Sequence, residues 1–112
     1  MNCIFCNIVS KKVPAKLVYE DSKILAFHDV NPVVSVHILI IPKKHIESAM
    51  HLKKEDEQLI GYIFLKIKDI AKNFGCDNGY RIVNNCGKDG GQTVNHLHFH
   101  LLGGNSLSWP PG

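Results

Sequence analysis

Apolar side chains recur along this chain at two different periods. Leu59, Ile60, Ile63, Phe64, Ile67, Ile70, Ala71 and Phe74 return every three or four residues, which predicts one long amphipathic helix from about Lys54 to Phe74. Its ends agree: Glu55, Asp56 and Glu57 suit the positive helix start, Lys72 suits the negative end, and Gly75 is placed to close it in a left-handed cap. Elsewhere the apolar runs are short and rich in β-branched residues. Leu17 to Tyr19, Ile24 to Phe27, Val36 to Ile41 and Arg81 to Val83 predict four strands, with turns at Glu20-Asp21-Ser22 and Asn31-Pro32. The third is expected to be central and to stop at Pro42. Residues 96–102, His-Leu-His-Phe-His-Leu-Leu, alternate strictly and predict a fifth strand, with Leu97, Phe99 and Leu101 in the core and three imidazoles on the opposite face. A short turn or helix is expected from Cys3 to Ser10. Strands, helix and strands with short connections imply an α+β fold, an antiparallel sheet of about five strands with one long helix and a short N-terminal helix.

Composition narrows this picture. At 112 residues the expectation is one domain, 1–112, burying roughly two-thirds of its unfolded surface, so no disulfide scaffold is needed. The 13 basic and 10 acidic residues give a net charge of +3, and the lysines are scattered apart from Lys11-Lys12, Lys43-Lys44 and Lys53-Lys54. That falls short of a basic stripe, and no specific nucleic acid is expected. His37 interrupts the longest apolar run, so no segment approaches the ~20 apolar residues of a membrane span. The opening Met1-Asn2-Cys3-Ile4-Phe5-Cys6 lacks the features of a signal peptide, implying a reducing location, cytoplasmic or also nuclear. Cys3, Cys6, Cys76 and Cys86 then read as thiols or metal ligands rather than disulfides.

Three histidines at strict period form a row of nitrogen nucleophiles, proton carriers or metal ligands. Just before it, Asn84 to Thr93 holds Gly87, Gly90 and Gly91, which suggests backbone N–H groups open to an anion. Cys3-x-x-Cys6 has the spacing of a metal clip and needs two further ligands, for which His45 and His96 are the best candidates. A redox role is the rival, but the thioredoxin-like pattern is missing. Asp29 suits a sugar's paired hydroxyls, or serves as a turn residue before Val30-Asn31-Pro32. His37, in an apolar strand, reads as a satisfied core histidine; His28 and His51 carry no usable signal. Two other functions stay open: a zinc-dependent hydrolase with His96, His98 and His100 as ligands, and a non-enzymatic nucleotide-binding interaction module. Alternate strand residues lie about 6.8 Å apart, which makes convergence of all three on one ion hard.

Taken together, the motifs resemble those of the histidine-triad (HIT) family, in particular its nucleotide-binding Hint branch, whose members are similar to protein kinase C interacting protein. His96 to Leu102 fits the family's His-φ-His-φ-His-φ-φ pattern. Phe27-His28-Asp29, Ile40 to His45, Gly79-Tyr80-Arg81, Asp89 to Gln92, Leu102-Gly103-Gly104 and the tail Trp109-Pro110-Pro111-Gly112 also match. The resemblance implies a homodimer with a purine mononucleotide site in each subunit. It implies that Asp29 holds the ribose, that Phe27 and Val30 flank the base, and that Asn85, Gly91, Gln92, Thr93, His98 and His100 surround the phosphate. It further implies that His98 is the nucleophile toward phosphoramidates or acyl-adenylates, with His100 assisting. No catalytic metal is expected, while some relatives hold structural zinc at positions matching Cys3, Cys6, His45 and His96. Trp109 is expected near the partner's site, against the leaving group.

Overall fold

The computed structural model describes residues 2–112. A short helix, α1 (Ile4–Val9), precedes β1 (Leu17–Glu20), β2 (Ile24–His28) and β3 (Val36–Pro42); the long helix α2 (Glu57–Asn73) follows, and then β4 (Arg81–Val83) and β5 (Phe99–Gly103). The five strands make one antiparallel sheet in the order β1-β2-β3-β5-β4, so the β-branched third strand is central as its sequence predicts. Its Ile38, Ile40 and Ile41 are fully buried.

Both faces of the sheet are covered, and the two covers differ. On one face Ile24, Ala26, Ile38, Ile40, Leu97, Phe99 and Leu101 pack with Ile63, Ile67, Ile70 and Ala71 of α2. On the other, Leu25, Phe27, Leu39 and Ile41 pack with Phe5 and Ile8 of α1. Alternation along each strand distributes side chains between the two cores. Helix α2 is pinned at one further point, where the Tyr62 hydroxyl donates to the Asp21 carboxylate in the turn between β1 and β2. That carboxylate also accepts from Tyr19 Oη (2.8 Å) and from the Lys23 and Ile24 N–H groups (2.7 and 2.9 Å). Burial raises the pKa of Asp21, but the hydrogen bonds outweigh it and hold the group well below the usual carboxylate range.

Two boundaries depart from the sequence expectation by more than one residue. Residues Lys54–Asp56 form a 3-10 turn, and the α-helix starts at Glu57, because Asp56 turns back to accept the Lys53 N–H (2.9 Å) and the Lys44 ammonium (2.7 Å). Gly75 does close the helix with positive φ (76°). The fifth strand begins at Phe99 rather than His96. Its register against β3 pairs Ile40 with Phe99, so Leu97 would face Pro42, which has no N–H to give. The Leu97 N–H donates instead to the Ile46 carbonyl (2.6 Å). Burial still alternates through this stretch, with Leu97 on the α2 side and His96 and His98 buried on the α1 side.

Candidate active site and metal centre

The imidazoles lie beneath α1, where the Phe5 ring meets His96 and His98 edge-on at 5.9 and 5.2 Å and Phe27 at 5.5 Å. Each ring of the row has its own partner. His96 Nε2 donates to the Pro42 carbonyl (2.8 Å), which leaves its Nδ1 lone pair facing Cys3 Sγ (3.4 Å), Cys6 Sγ (3.6 Å) and His45 Nδ1 (3.1 Å). His98 Nδ1 donates to the His96 carbonyl (2.7 Å), so the neutral tautomer this bond selects carries its lone pair on Nε2. His100 Nδ1 lies 2.9 Å from His37 Nε2. No group of potential metal ligands among the described residues joins His96, His98 and His100, so the structure lends a zinc hydrolase built on the three no support.

Two groups of potential metal ligands occur among the described residues, and their hydrogen bonds separate them. Cys3, Cys6, His45 and His96 bring all four ligand atoms within 4.8 Å of one another. The contacts of 3.1 to 3.6 Å match the edges of a tetrahedron with zinc bonds of about 2.0–2.3 Å, which run to about 3.3–3.8 Å. Burial, reinforced by hydrogen bonding to Cys3 and by its charge, pushes the Cys6 thiol up to about 11. A bound cation reverses that preference, since the ion stabilises the thiolate. This cluster therefore fits a metal by donor type, spacing and tautomer. A cleft of about 470 Å³, lined in part by Cys3, His45, Glu47, Thr93 and Asn95, opens beside it. The second group, Asp29, His37 and His100, behaves differently. His37 Nδ1 accepts the Val33 N–H (3.2 Å), so its proton resides on Nε2, between Asp29 Oδ2 (3.3 Å) and His100 Nδ1 (2.9 Å). A metal on that nitrogen would force a proton onto Nδ1, against the Val33 donor. This second cluster is built to hold a proton.

His37 is thus more than a satisfied core residue. The register places Leu39 opposite His100, so β3 residues 37, 39 and 41 share the α1 face with the histidines. Only the strand pairing reveals that parity; the sequence of β3 does not. Burial is the main cause that pushes His100 down to about 4, with His98 and His37 adding to it and Asp29 opposing it, so the ring is neutral at physiological pH. With His37 donating to its Nδ1, the His100 proton sits on Nε2.

Asp29 follows β2 directly and is half-buried, its Oδ1 accepting the Asn31 N–H (2.7 Å). It is both a turn residue and a partner of His37, and each oxygen keeps a lone pair. Phe27 is buried under Phe5, whereas Val30, three residues further on, is 90% exposed. The glycine loop is closed on itself more than its composition suggests. The N–H groups of Gly87, Gly91 and Gln92 all bond within it, and the Gln92 carboxamide bridges the carbonyls of Glu47 (2.8 Å) and Val94 (2.9 Å). Asn85 likewise donates to the Gly90 carbonyl (2.8 Å), while Thr93 is exposed. Gln92 and Asn85 therefore shape the loop with the groups expected to meet a phosphate. Trp109 stands apart at 83% exposed, its tail held by Arg81, which donates to the Ser108 carbonyl (2.6 Å) and the Pro111 carbonyl (3.4 Å).

An α+β domain that turns an alternating histidine row toward an aspartate and a closed glycine loop has the architecture of a histidine-triad protein. The HIT domain profile matches residues 10–107, and the chain belongs to that family. It is 51% identical over 109 residues to an uncharacterised HIT-like protein of Synechococcus elongatus, covering 97% of this chain and 96% of that protein. Among solved structures, it resembles a HIT family hydrolase from Legionella pneumophila Philadelphia 1 (TM-score 0.97, 46% identity, 99% of this chain and 100% of the other). It also resembles a histidine triad nucleotide-binding protein from Candida albicans (TM-score 0.82, 29% identity, 99% and 85%). No helix among the described residues is long and apolar enough to cross a membrane.

Proposed function

We propose that this protein is a hydrolase of the Hint type, cleaving purine nucleoside phosphoramidates, or mixed anhydrides such as acyl-adenylates, through a nucleotidyl-His98 intermediate in a single domain. The reading rests above all on the tautomer of His98: Nδ1–H is committed to the His96 carbonyl, so a neutral Nε2 is free to attack phosphorus. A neutral nucleophile adds no second negative charge to an anionic phosphate. Attack forms the N–P bond to His98 and breaks the bond to the leaving group, an acylate departing as the anion and an amine taking up a proton from solvent as it leaves; water then displaces His98 in line and returns a proton to solvent. His100, neutral and protonated on Nε2, supplies a hydrogen bond to a non-bridging oxygen, and such a preorganised donor is typically worth about 3–4 kcal/mol in the transition state. The relatives support the class: the Legionella neighbour is named a hydrolase and the Candida neighbour a nucleotide-binding protein.

Asp29 binds the ribose hydroxyls, Phe27 and Val30 flank the base, and Thr93 with Asn85, Gly91 and Gln92 forms the rim of the phosphate site. Structural zinc is held by Cys3, Cys6, His45 and His96, where it ties α1 to the entry of β5 and takes no part in the displacements. The protein acts as a cytoplasmic homodimer with Trp109 facing the partner's leaving group.

Rapid quench with a labelled adenosine phosphoramidate tests the mechanism. Acid-labile label on His98 is the expected result; turnover without label overturns it. Chelator sorts the alternatives. Persistent turnover fits the covalent enzyme, its loss without unfolding points to a catalytic metal, and no turnover in either condition leaves a nucleotide-binding module.

A further inference from the structure

The β4–β5 ladder ends where the nucleophile begins. Val83 pairs with His100, and beyond that pair the chain leaves β4 for the glycine loop, so no backbone donor from β4 follows to meet the His98 carbonyl. The Asn84 side chain takes that place: its Nδ2 donates to the His98 carbonyl at 2.9 Å. His98 is thereby held at two points, its ring through Nδ1 to the His96 carbonyl and its backbone through Asn84. Both atoms belong to a residue outside the regular strand, where ladder bonds no longer fix the backbone.

We propose that Asn84 is a positioning residue for the nucleophile, holding the His98 peptide so that the ring keeps its Nδ1–H on the His96 carbonyl and its Nε2 toward phosphorus. A hydrocarbon or an acceptor at this position cannot do this. Asn84→Ala leaves the carbonyl without its partner, and Asn84→Asp sets a carboxylate oxygen against it, although the shape is kept. Asn84 touches neither nucleotide nor leaving group in this assignment, so its effect falls on the rate of nucleotidyl transfer and not on nucleotide affinity. The catalytic part of the claim rests on the phosphoramidase reading.

Two measurements on the full-length, zinc-loaded protein separate the possibilities. Single-turnover nucleotidylation by a labelled adenosine phosphoramidate should slow about 10-fold or more in Asn84→Asp and Asn84→Ala, with AMP Kd within about twofold of the parent, and Asn84→Gln should recover part of the loss. Nitrogen-15 NMR of the imidazoles should show one His98 tautomer in the parent and a mixture in the two impaired variants. Unchanged nucleotidylation, or a loss in which Kd and Tm fall together with rate, overturns the assignment. A parent that does not turn over defeats the proposed function instead. In that case an unaltered His98 spectrum in Asn84→Asp defeats the positioning claim, and a mixed one upholds it.

Discussion

At the scale of single residues, the chemistry is set by which ring nitrogen keeps its proton. His98→Gly removes the free Nε2 lone pair while leaving the pocket walls, so nucleotidylation should vanish with AMP binding still measurable by calorimetry; turnover at the parent rate would end the covalent mechanism. Asp29→Asn keeps the shape but leaves a single, weaker acceptor and turns the other into a donor. AMP affinity should fall by roughly 1.5–3 kcal/mol, and a 2′,3′-dideoxy analogue should bind parent and variant about equally. If the variant still prefers AMP over that analogue as strongly as the parent does, the ribose is held elsewhere. His100 gives a pH signature. Its pKa is depressed in the fold to about 4, below the ordinary 6.5, so the unfolded chain takes up the proton first. The stability linked to this ring is therefore complete above about pH 6.5 and is lost as pH falls toward 4. Denaturant unfolding of His100→Asn, compared with the parent at each pH, should show a shallower decline across that window; parallel curves would contradict the burial of a neutral ring.

At the scale of elements, the helix, the turns and the central strand were readable from periodicity because each is decided locally. The 3.6-residue period of α2, the Asp21 turn and the β-branched run of β3 all reappear in the fold. The metal cluster was readable in part: Cys3-x-x-Cys6 marks a clip, and the choice of His45 and His96 came from residue type and family likeness. What stayed hidden depends on register. His37 joins the active face only because Leu39 pairs with His100, and the histidine strand starts late only because Pro42 falls opposite Leu97. The closure of the glycine loop was equally hidden, since Gln92 reaches across to Glu47, 45 residues away in sequence. The metal cluster yields its own prediction. Cys6→Ser should reduce bound zinc from about one ion per chain toward none and lower Tm, because α1 then loses its tie to the entry of β5. Elemental analysis with calorimetry reads both; full zinc content in this variant would exclude Cys6 as a ligand.

For the whole molecule, the question is what covers the apolar groups that one chain leaves in water. Phe64 and Leu65 of α2 are 45% and 60% exposed, and a Cβ at Gly61, one turn away, would meet no other atom within 4 Å, so this face of the helix is open to close approach. Trp109 is 83% exposed on a tail that Arg81 fastens beside the edge strand β4, so its ring finds no cover within its own chain. An indole so placed is costly to leave in water. In the proposed homodimer a second copy of the chain would cover both features. The protein should therefore sediment as a dimer at micromolar concentration, and Trp109 fluorescence should shift to the red on dilution into monomer. Deleting residues 106–112 should leave AMP affinity within about twofold while changing the ranking of phosphoramidates that differ only in their amine, since the proposed dimer sets the indole against the leaving group rather than the nucleotide. A monomer at micromolar concentration would refute the dimer. A truncated protein with the parent's ranking would show that Trp109 stays clear of the partner's site.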